Sequence, residues 1–204
     1  MRATPLAIPE VILFEPKVFG DERGFFYESF NQKVFEAAVG KSVHFVQDNH
    51  SRSVKGVLRG LHYQIRQAQG KLIRVLEGAI HDVAVDLRRD SATFGRSASF
   101  LLSAENNLMA WIPPGFVHGF LALEEGTTVL YKATDFYAPA HERTLLWNDP
   151  ALGLQWPVEQ VGGMQLVKVS DKDLVGKPFA EAEVYESDPL SDPPAGRFPG
   201  AAAR

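Results

Sequence analysis

The chain has 204 residues, of which 45% are hydrophobic, so it is long enough to bury a core within one domain. A net charge of -4 and a pI of about 5.9 provide no basic footprint, so neither nucleic acid nor an acidic membrane surface is an expected partner. The chain contains no cysteine, which excludes disulfides, thiol catalysis and Cys-ligated zinc or iron–sulfur centres.

Most of the chain is patterned as short strands. Residues 1–10 lack the basic and apolar blocks of a signal peptide, and no apolar run approaches about 18 residues, so we expect a cytoplasmic protein without a membrane span. Runs of β-branched, aromatic and alternating residues bounded by turn signals predict strands. These runs are 11–15, 25–30, 72–76, 79–87, 97–102, 109–112, 119–123 and 127–134.

The break at Glu77-Gly78 predicts a hairpin between the strands at 72–76 and 79–87. In the second strand, alternation divides the side chains between two faces. One face carries Ala79, His81, Val83, Val85 and Leu87, and the other carries Ile80, Asp82, Ala84 and Asp86.

Helix signals are few. Asn31 can cap a helix over 32–39 that stops at Gly40, and Ser170 can cap a short segment beginning at Asp171. Many short strands with few helices predict an all-β sandwich, barrel or jelly roll. Residues 1–184 are expected to form one domain, and the Pro-, Gly- and Ala-rich residues 185–204 a disordered tail without assigned function.

The segment Val57–Gln64 reads Val-Leu-Arg-Gly-Leu-His-Tyr-Gln and places a cation and an imidazole among mostly apolar residues. The guanidinium of Arg59 can donate two parallel hydrogen bonds to a phosphate or a carboxylate. His62 supplies the side chain that most often acts as a general base. We therefore expect the chemistry of the protein in this segment.

Two polar clusters precede this segment. Between Asp21 and Glu28 a turn leads into an aromatic strand, with Arg23 and Glu28 as candidate ligand contacts; an edge strand with solvated charges is the alternative. Gln47 and Asn49 lie in an amide-rich stretch that suits the hydrogen-bonding edges of a base or sugar, or else forms a polar turn.

Two further candidates follow it. Lys71, directly after Gly70, begins a strand where its ammonium can stabilise an oxyanion, although an isolated lysine is usually a surface residue. The turn at Pro114-Gly115 delivers His118 onto the next strand, where a structural histidine is the alternative.

The carboxyl-terminal third offers tyrosines and carboxylates. Tyr131, Tyr137 and Glu142 lie in or just after the run 129–137, where packing with a hydrogen-bonded hydroxyl is the alternative to a chemical role for the tyrosines. Asp173 either orients His62 or is the reciprocal partner of a Ser170 cap. The sequence leaves these alternatives open.

Two runs resemble the halves of a cupin motif. They are Pro114-Gly-Phe-Val-His118 and His62-Tyr-Gln64, the latter where cupins often carry two histidines. A cupin metal site needs several imidazole and carboxylate ligands, and Gln64 supplies a weak amide instead. No metal is therefore expected.

Taken in order, the motifs resemble the dTDP-4-dehydrorhamnose 3,5-epimerase family from about residue 9 to residue 174. The family consists of metal-free, cupin-like jelly rolls, so the resemblance implies an all-β jelly roll (double-stranded β-helix) with a few short helices. The matching motifs are Phe19-Gly-Asp-Glu-Arg-Gly-Phe-Phe-Tyr-Glu28, Gln47-Asp-Asn-His-Ser51, Leu58-Arg-Gly-Leu-His-Tyr-Gln64, Gly70-Lys71, Pro113-Pro-Gly-Phe-Val-His-Gly-Phe120, Leu130-Tyr-Lys132 and Ser170-Asp-Lys-Asp173.

The resemblance implies roles by position. His62 matches the general base, Asp173 the carboxylate paired with it, and Tyr131 the general acid on the opposite face of the sugar. Lys71 matches a residue near the pyranose and suits stabilisation of an enolate. The substrate-binding matches are Arg23, Glu28, Gln47, Asn49, Arg59, His118, Tyr137, Glu142 and Lys172. Asp171 is the rival of Asp173, since a two-residue slip would exchange them.

The implied reaction inverts carbons 3 and 5 of dTDP-4-dehydro-6-deoxy-D-glucose to give dTDP-4-dehydro-L-rhamnose, in dTDP-L-rhamnose and cell-surface polysaccharide biosynthesis. Both carbons flank the ketone at carbon 4, so loss of either proton gives an enolate and needs no redox cofactor. The resemblance also implies a homodimer in which Arg23 and Glu28 serve the neighbouring site.

Three alternatives remain open. Relatives that invert only one carbon share most of these residues. A metal-dependent cupin oxygenase would use His62, His118 and Glu142 as ligands. A non-catalytic sugar-nucleotide binding module would keep Arg59 and Arg23 without needing a base.

Overall fold

Strands make up most of the regular structure in the computed structural model, which describes residues 1–190. In chain order the strands and helices are β1 (Arg2–Pro5), β2 (Ile12–Glu15), β3 (Phe19–Asp21), β4 (Gly24–Phe26), α1 (Gln32–Val39), β5 (Gln47–Ser53), β6 (Val57–Gln64), β7 (Lys71–Glu77), β8 (Ala79–Asp86), β9 (Ser97–Ser103), β10 (Met109–Ile112), β11 (Phe116–Ala122), β12 (Thr127–Ala133), β13 (Glu142–Thr144), β14 (Lys168–Val169) and α2 (Asp171–Leu174). The predicted all-β class is confirmed, and the architecture is a cupin-like jelly roll.

Two sheets form the jelly roll. The first has the order β1-β2-β10-β7-β12-β5, and the second has the order β13-β6-β11-β8-β9, with β14 added parallel to β6. Within the described residues, strands β3 and β4 pair only with each other, in a separate ribbon. Side chains from the facing surfaces of the two sheets, including Ile73 and Val129 of the first and Ile80 and Phe120 of the second, form the central apolar core.

The predicted hairpin between the strands at 72–76 and 79–87 is wrong. β7 pairs with β10 and β12 in the first sheet, whereas β8 pairs with β9 and β11 in the second. Only Gly78 separates the two strands, and at its φ of 74° the chain leaves one sheet and enters the other. A hairpin would need a loop of at least about two residues, so the chain crosses the core here instead.

The two faces predicted for β8 are confirmed. Val83 and Val85 pack into a cluster on the outer side of the second sheet, whereas Ile80 and Ala84 belong to the central core. Because β8 has neighbours on both faces, even its polar Asp82 is fully buried. This burial places a carboxylate next to the cavity described below.

The helix predicted over 32–39 is confirmed as α1, at both its first and its last residue. The Asn31 side chain accepts a hydrogen bond from Val34 N–H, and Gly40 ends α1 in the left-handed region at φ 74°. Phe35 of α1 packs on Phe14 and Trp111 over the outer face of the first sheet.

The strand predicted over 25–30 is shorter than expected and ends at Phe26, because its partner β3 has only three residues.

The carboxyl-terminal segment corrects the predicted start of the tail. Tyr185 is buried, its N–H donates to Leu87 O, and its hydroxyl donates to Gln64 O at 2.5 Å. Its ring also packs against Tyr63, so this residue belongs to the body of the jelly roll. The remainder of the predicted tail from 191 to 204 lies outside the described residues. Within residues 1–190, no helix has the length and apolarity needed to cross a bilayer.

Candidate active site

A cavity of about 520 Å³ opens between the two sheets beside the central core. Seven of the predicted site residues line it: Arg59, His62, Lys71, His118, Tyr131, Lys172 and Asp173. The strands supply both walls, and the segment from β14 to α2 forms part of the rim. The fold therefore brings into one cavity residues that are far apart in the sequence. Arg59 and Asp173, for example, are separated by 114 positions.

His62 and Asp173 form a hydrogen-bonded pair. His62 Nε2 lies 2.5 Å from Asp173 Oδ1, and Gly60 N–H donates to the other carboxylate oxygen at 3.3 Å. Burial would raise the pKa of Asp173, but these hydrogen bonds and the charge of His62 outweigh it and lower the pKa below its usual range. An ionised carboxylate accepts Nε2–H and leaves Nδ1 as the basic nitrogen.

The structure distinguishes the two candidate aspartates. Ser170 caps α2 by accepting from Asp173 N–H, which turns the Asp173 side chain toward His62 and buries it. Asp171 is exposed at the start of the same helix and does not line the cavity. The cap and the carboxylate pairing, considered as alternatives from the sequence, are both present, because one uses the backbone of Asp173 and the other its side chain.

Lys71 and Tyr131 reach the cavity from the first sheet. Lys71 pairs with Ala133 and Ile73 pairs with Tyr131, so both functional side chains lie on the face that looks toward His62 in the second sheet. Burial lowers the pKa of Lys71 to about 8, against the opposing influence of Asp82 and Glu142. Burial raises the pKa of Tyr131 above its usual value, so its phenol stays protonated and can donate a proton.

His118 stands beside His62 on the neighbouring strand, since the two residues are register partners. Its Nε2 lies 3.1 Å from Asp82 Oδ2. Burial lowers the pKa of His118 despite the adjacent Asp82 carboxylate, which favours a neutral imidazole at neutral pH. His118 is thus a polar contact at the floor of the cavity with a fixed orientation.

Arg59 is oriented toward the cavity without a carboxylate partner among the described residues. Its guanidinium donates to Ser53 Oγ at 3.0 Å and to Arg52 O at 3.3 Å. Neither acceptor neutralises the charge, so the side chain retains full capacity to bind an anion.

The rim network joins four predicted substrate-binding residues that do not line the cavity to Lys172, which does; the four are Gln47, Asn49, Tyr137 and Glu142. Tyr137 Oη donates to Glu142 Oε2 at 2.9 Å, and Lys172 Nζ lies 2.5 Å from the same oxygen. Gln47 accepts from Tyr137 N–H at 3.0 Å and donates to Asn49 Oδ1 at 2.9 Å. The charge of Lys172 and its hydrogen bond lower the pKa of Glu142 although burial would raise it. This network joins β5, β13 and α2 and reaches the cavity through Lys172.

Gln64 has a structural role in the place of a cupin metal ligand. Its side chain donates to Gln67 O and Phe136 O and accepts from Ala138 N–H, so the loop over 135–138 is anchored to β6. Within residues 1–190 no group of three or more His, Cys, Asp or Glu side chains is arranged to hold a metal ion.

Arg23 and Glu28 do not reach the cavity of their own chain. Arg23 pairs with Asp21 on the exposed ribbon of β3 and β4, and Glu28 accepts from Asn31 Nδ2 at 3.1 Å. Sequence reasoning also missed Ser51, Phe120, Lys168 and Ser170, which do line the cavity. The alternation of Gln47, Asn49 and Ser51 along β5 was a signal for Ser51, since these side chains share a face.

Fold and cavity together define a cupin-like enzyme built for acid–base chemistry, with an imidazole–carboxylate pair on one wall and a lysine and a tyrosine on the other. Residues 5–181 match the family model described as dTDP-4-dehydrorhamnose 3,5-epimerase. The chain belongs to this family, as the motifs predicted.

Similar proteins agree with the assignment. The dTDP-4-dehydrorhamnose 3,5-epimerase of Pseudomonas aeruginosa is 60% identical over 91% of this chain and 99% of its own length. The crystal structure of the epimerase RmlC from Legionella pneumophila, in complex with dTDP-4-keto-L-rhamnose, is 47% identical with a TM-score of 0.84 and covers 89% of this chain and 94% of that one. A 3′-monoepimerase from Streptomyces bikiniensis, in complex with dTDP-quinovose, is 34% identical with a TM-score of 0.78 and covers 86% and 87%.

Proposed function

We propose that this protein catalyses the epimerisation of dTDP-4-dehydro-6-deoxy-D-glucose at carbons 3 and 5 to give dTDP-4-dehydro-L-rhamnose. The observation that carries the proposal is the placement of His62 and Tyr131 on opposite walls of one cavity. Inversion needs a base on one face of the sugar and a proton donor on the other. The high identity to the Pseudomonas aeruginosa 3,5-epimerase supports the same substrate.

The first step is proton abstraction by His62. Nε2–H is engaged with Asp173, so Nδ1 takes the proton from the carbon next to the ketone, and Asp173 stabilises the imidazolium that forms. The electrons of the broken C–H bond move into the C4 carbonyl and generate an enolate. Lys71, charged at neutral pH, lies on the facing wall and stabilises the negative oxygen.

The second step returns a proton from the opposite side. Tyr131 donates its phenolic proton to the enolate carbon, and the raised pKa of its hydroxyl keeps the donor protonated until it is needed. Arg59 binds the diphosphate, and the rim network of Tyr137, Glu142 and Lys172 frames the nucleotide. This remote binding energy positions the sugar between acid and base.

An activity assay tests the proposal directly. Purified protein is incubated with dTDP-4-dehydro-6-deoxy-D-glucose in D₂O, and NMR follows deuterium at carbons 3 and 5 while a coupled reductase reports the rhamnose-configured product. Deuterium at both carbons with product formation is expected. Exchange at carbon 3 alone would support the second candidate, a mono-epimerase, which the likeness to the Streptomyces bikiniensis enzyme favours. Binding of dTDP without exchange would support a binding module.

Replacement of Tyr131 by Phe is expected to impair inversion more than proton removal. The variant keeps the aromatic ring but loses the phenolic proton donor. The enolate is then reprotonated on its original face, or more slowly by water on the opposite face. We expect net epimerisation to fall by about 10²-fold or more while deuterium exchange falls much less. The ratio of exchanged to inverted substrate measures this partition. Equal loss of both signals would contradict the role of Tyr131.

We also propose a homodimer in which the ribbon of one subunit completes the site of the other. The ribbon pairs with no further strand among residues 1–190, and it exposes 69% of Phe25 and 72% of Phe26. Exposed aromatic side chains of this kind mark protein interfaces. Arg23 lies on the same ribbon, away from its own cavity.

Mixing two inactive variants tests this arrangement. If Arg23 serves the neighbouring site, co-refolded Arg23→Ala and His62→Ala chains form hybrids with one intact site, and about a quarter of the wild-type activity is expected to return. Each variant refolded alone is the control. If activity does not return although sedimentation shows dimers, Arg23 does not act across the interface.

A further inference from the structure

Asp82 lies beneath the cavity and was not among the predicted site residues. It is fully buried on β8, where its register partner on β11 is Phe120, a residue that lines the cavity. His118 lies two positions from Phe120 on the same face of β11. The Asp82 carboxylate therefore lies next to two lining residues, His118 and Phe120, without lining the cavity itself.

The hydrogen bonding of Asp82 is incomplete. Its Oδ2 lies 3.1 Å from His118 Nε2 with good hydrogen-bond geometry, whereas Oδ1, although 3.0 Å from the same nitrogen, accepts no hydrogen bond from the described residues. One N–H can fully satisfy only one oxygen. A buried carboxylate with an open oxygen is costly unless a positive charge lies nearby.

Asp86, on the same face of β8, differs from Asp82 in that its carboxylate is fully hydrogen-bonded. Its carboxylate accepts hydrogen bonds from Arg88, Ser91 and Thr93, and the Arg88 guanidinium neutralises its charge. Local partners saturate this carboxylate, and none of them lines the cavity. Among residues 1–190 no lysine or arginine forms an ion pair with Asp82, and its partner His118 lines the cavity, so its charge acts on the cavity.

Lys71 is the cation that faces this charge. It shares the inner face of the first sheet with Ile73, which packs in one cluster with Ile80 and Ala84, the neighbours of Asp82 on the inner face of the second sheet. Lys71 takes part in none of the ion pairs found among residues 1–190. Of the charges that raise the pKa of Lys71 against the effect of burial, Asp82 contributes the most, followed by Glu142. The other ionisable groups that line this cavity are Arg59, His62, His118, Tyr131, Lys168, Lys172 and Asp173.

We propose that Asp82 is a positioning residue of the site, which orients His118 and supplies the buried negative charge that keeps Lys71 an ammonium when the enolate forms. The inference rests on the proposed function, because Lys71 matters as a cation only if an oxyanion develops beside it. Asp82 itself touches neither the sugar nor the reacting carbon. It acts through His118 and Lys71, which both line the cavity.

Replacement of Asp82 by Asn tests this role. Asparagine keeps the size and can still accept from His118, but it removes the charge, so the ammonium of Lys71 loses stabilisation and its pKa falls. We expect the alkaline limb of the kcat profile to move to lower pH by about one unit or more. The rate at pH 6.5 should change far less than the rate at pH 8.5. An unchanged alkaline limb in an active, folded variant would overturn the proposal.

A second measurement does not depend on activity. NMR titration of ¹³C-dimethylated lysines in the substrate-free protein, with Lys71 assigned by its loss in Lys71→Arg, should show the same downward shift in Asp82→Asn. The matched control is Asp86→Asn, which removes a buried carboxylate from the same strand and should leave the Lys71 titration unchanged. An equal shift in both variants would assign the effect to general loss of buried charge and overturn the specific role.

A further variant covers the case in which Asp82→Asn does not fold. His118→Gln retains the Asp82 charge and should leave the pKa of Lys71 equal to or higher than in the wild-type protein. A downward shift of this pKa would attribute the effect to His118 and overturn the proposal.

The proposed function and the role of Asp82 can be refuted separately. A wild-type protein without epimerase activity refutes the proposed function, whereas an active protein with unaltered Lys71 titration in the Asp82 variant refutes only this inference.

Discussion

Replacement of His62 by Ala is expected to lower kcat by about 10²- to 10⁴-fold, the range associated with loss of a general base. Nδ1 of His62 is the basic atom free to face the sugar, because Nε2 is held by Asp173 at 2.5 Å. Without it the cavity loses the imidazole that Asp173 supports as a base. Deuterium exchange from solvent into carbons 3 and 5 should fall together with product formation, and NMR measures both in one experiment.

The control for His62 is His50, an exposed residue of β5 whose neighbours along the strand, Asn49 and Ser51, point to the opposite face. His50→Ala should keep kcat within about twofold of wild type, as expected of a surface substitution. Thermal unfolding of both variants checks that the fold survives. Undiminished exchange in folded His62→Ala would remove this residue from the mechanism and leave His118 as the remaining imidazole of the cavity.

Replacement of Asp173 by Asn is expected to lower kcat by about 10²- to 10⁴-fold with a smaller effect on KM. The amide cannot stabilise an imidazolium, and its N–H₂ group can bind Nε2 and so force the proton onto Nδ1, the nitrogen that must act as base. The carboxylate lies behind His62 and contributes to the base, not to binding. Steady-state kinetics separates the two parameters.

Asp171→Asn is the matched control, since it makes the same change two positions away on the exposed side of α2. We expect kcat within about twofold of wild type. If the Asp171 variant lost as much activity as the Asp173 variant, the effect would come from the charge or capping of α2 and not from the carboxylate pair. A fully active Asp173→Asn enzyme would show that His62 needs no carboxylate partner.

Local structure was largely predictable from local residues. The helix over 32–39 begins after Asn31 and ends at Gly40 as predicted, because capping side chains and a left-handed glycine act within one turn. The strand over 109–112 has the predicted bounds, and the two faces of β8 follow from strict alternation. These features depend on interactions between residues close in sequence.

Pairing between strands was not predictable in the same way. Residues 72–76 and 79–87 look like a hairpin because they are adjacent, yet the single glycine between them directs the chain across the core. Tyr185 likewise looks like the beginning of a loose tail, yet it is buried by contacts with β6 that are 121 residues distant in sequence. Apolar patterning identifies a strand but carries little information on which sheet will receive it.

The sequence alone determined the fold class, the family and the kinds of side chain at the site, because each motif joins a turn or strand signal to a reactive group within a few residues. Arg59, His62, Lys71, His118, Tyr131 and Asp173 were all named from such motifs. Only the tertiary structure decided which carboxylate pairs with His62, that the buried Asp82 pairs with His118, and that Arg23 does not line the cavity of its own chain. The physical reason is that burial and charge coupling depend on distances in space, and these are set by the packing of two sheets whose strands are far apart along the chain.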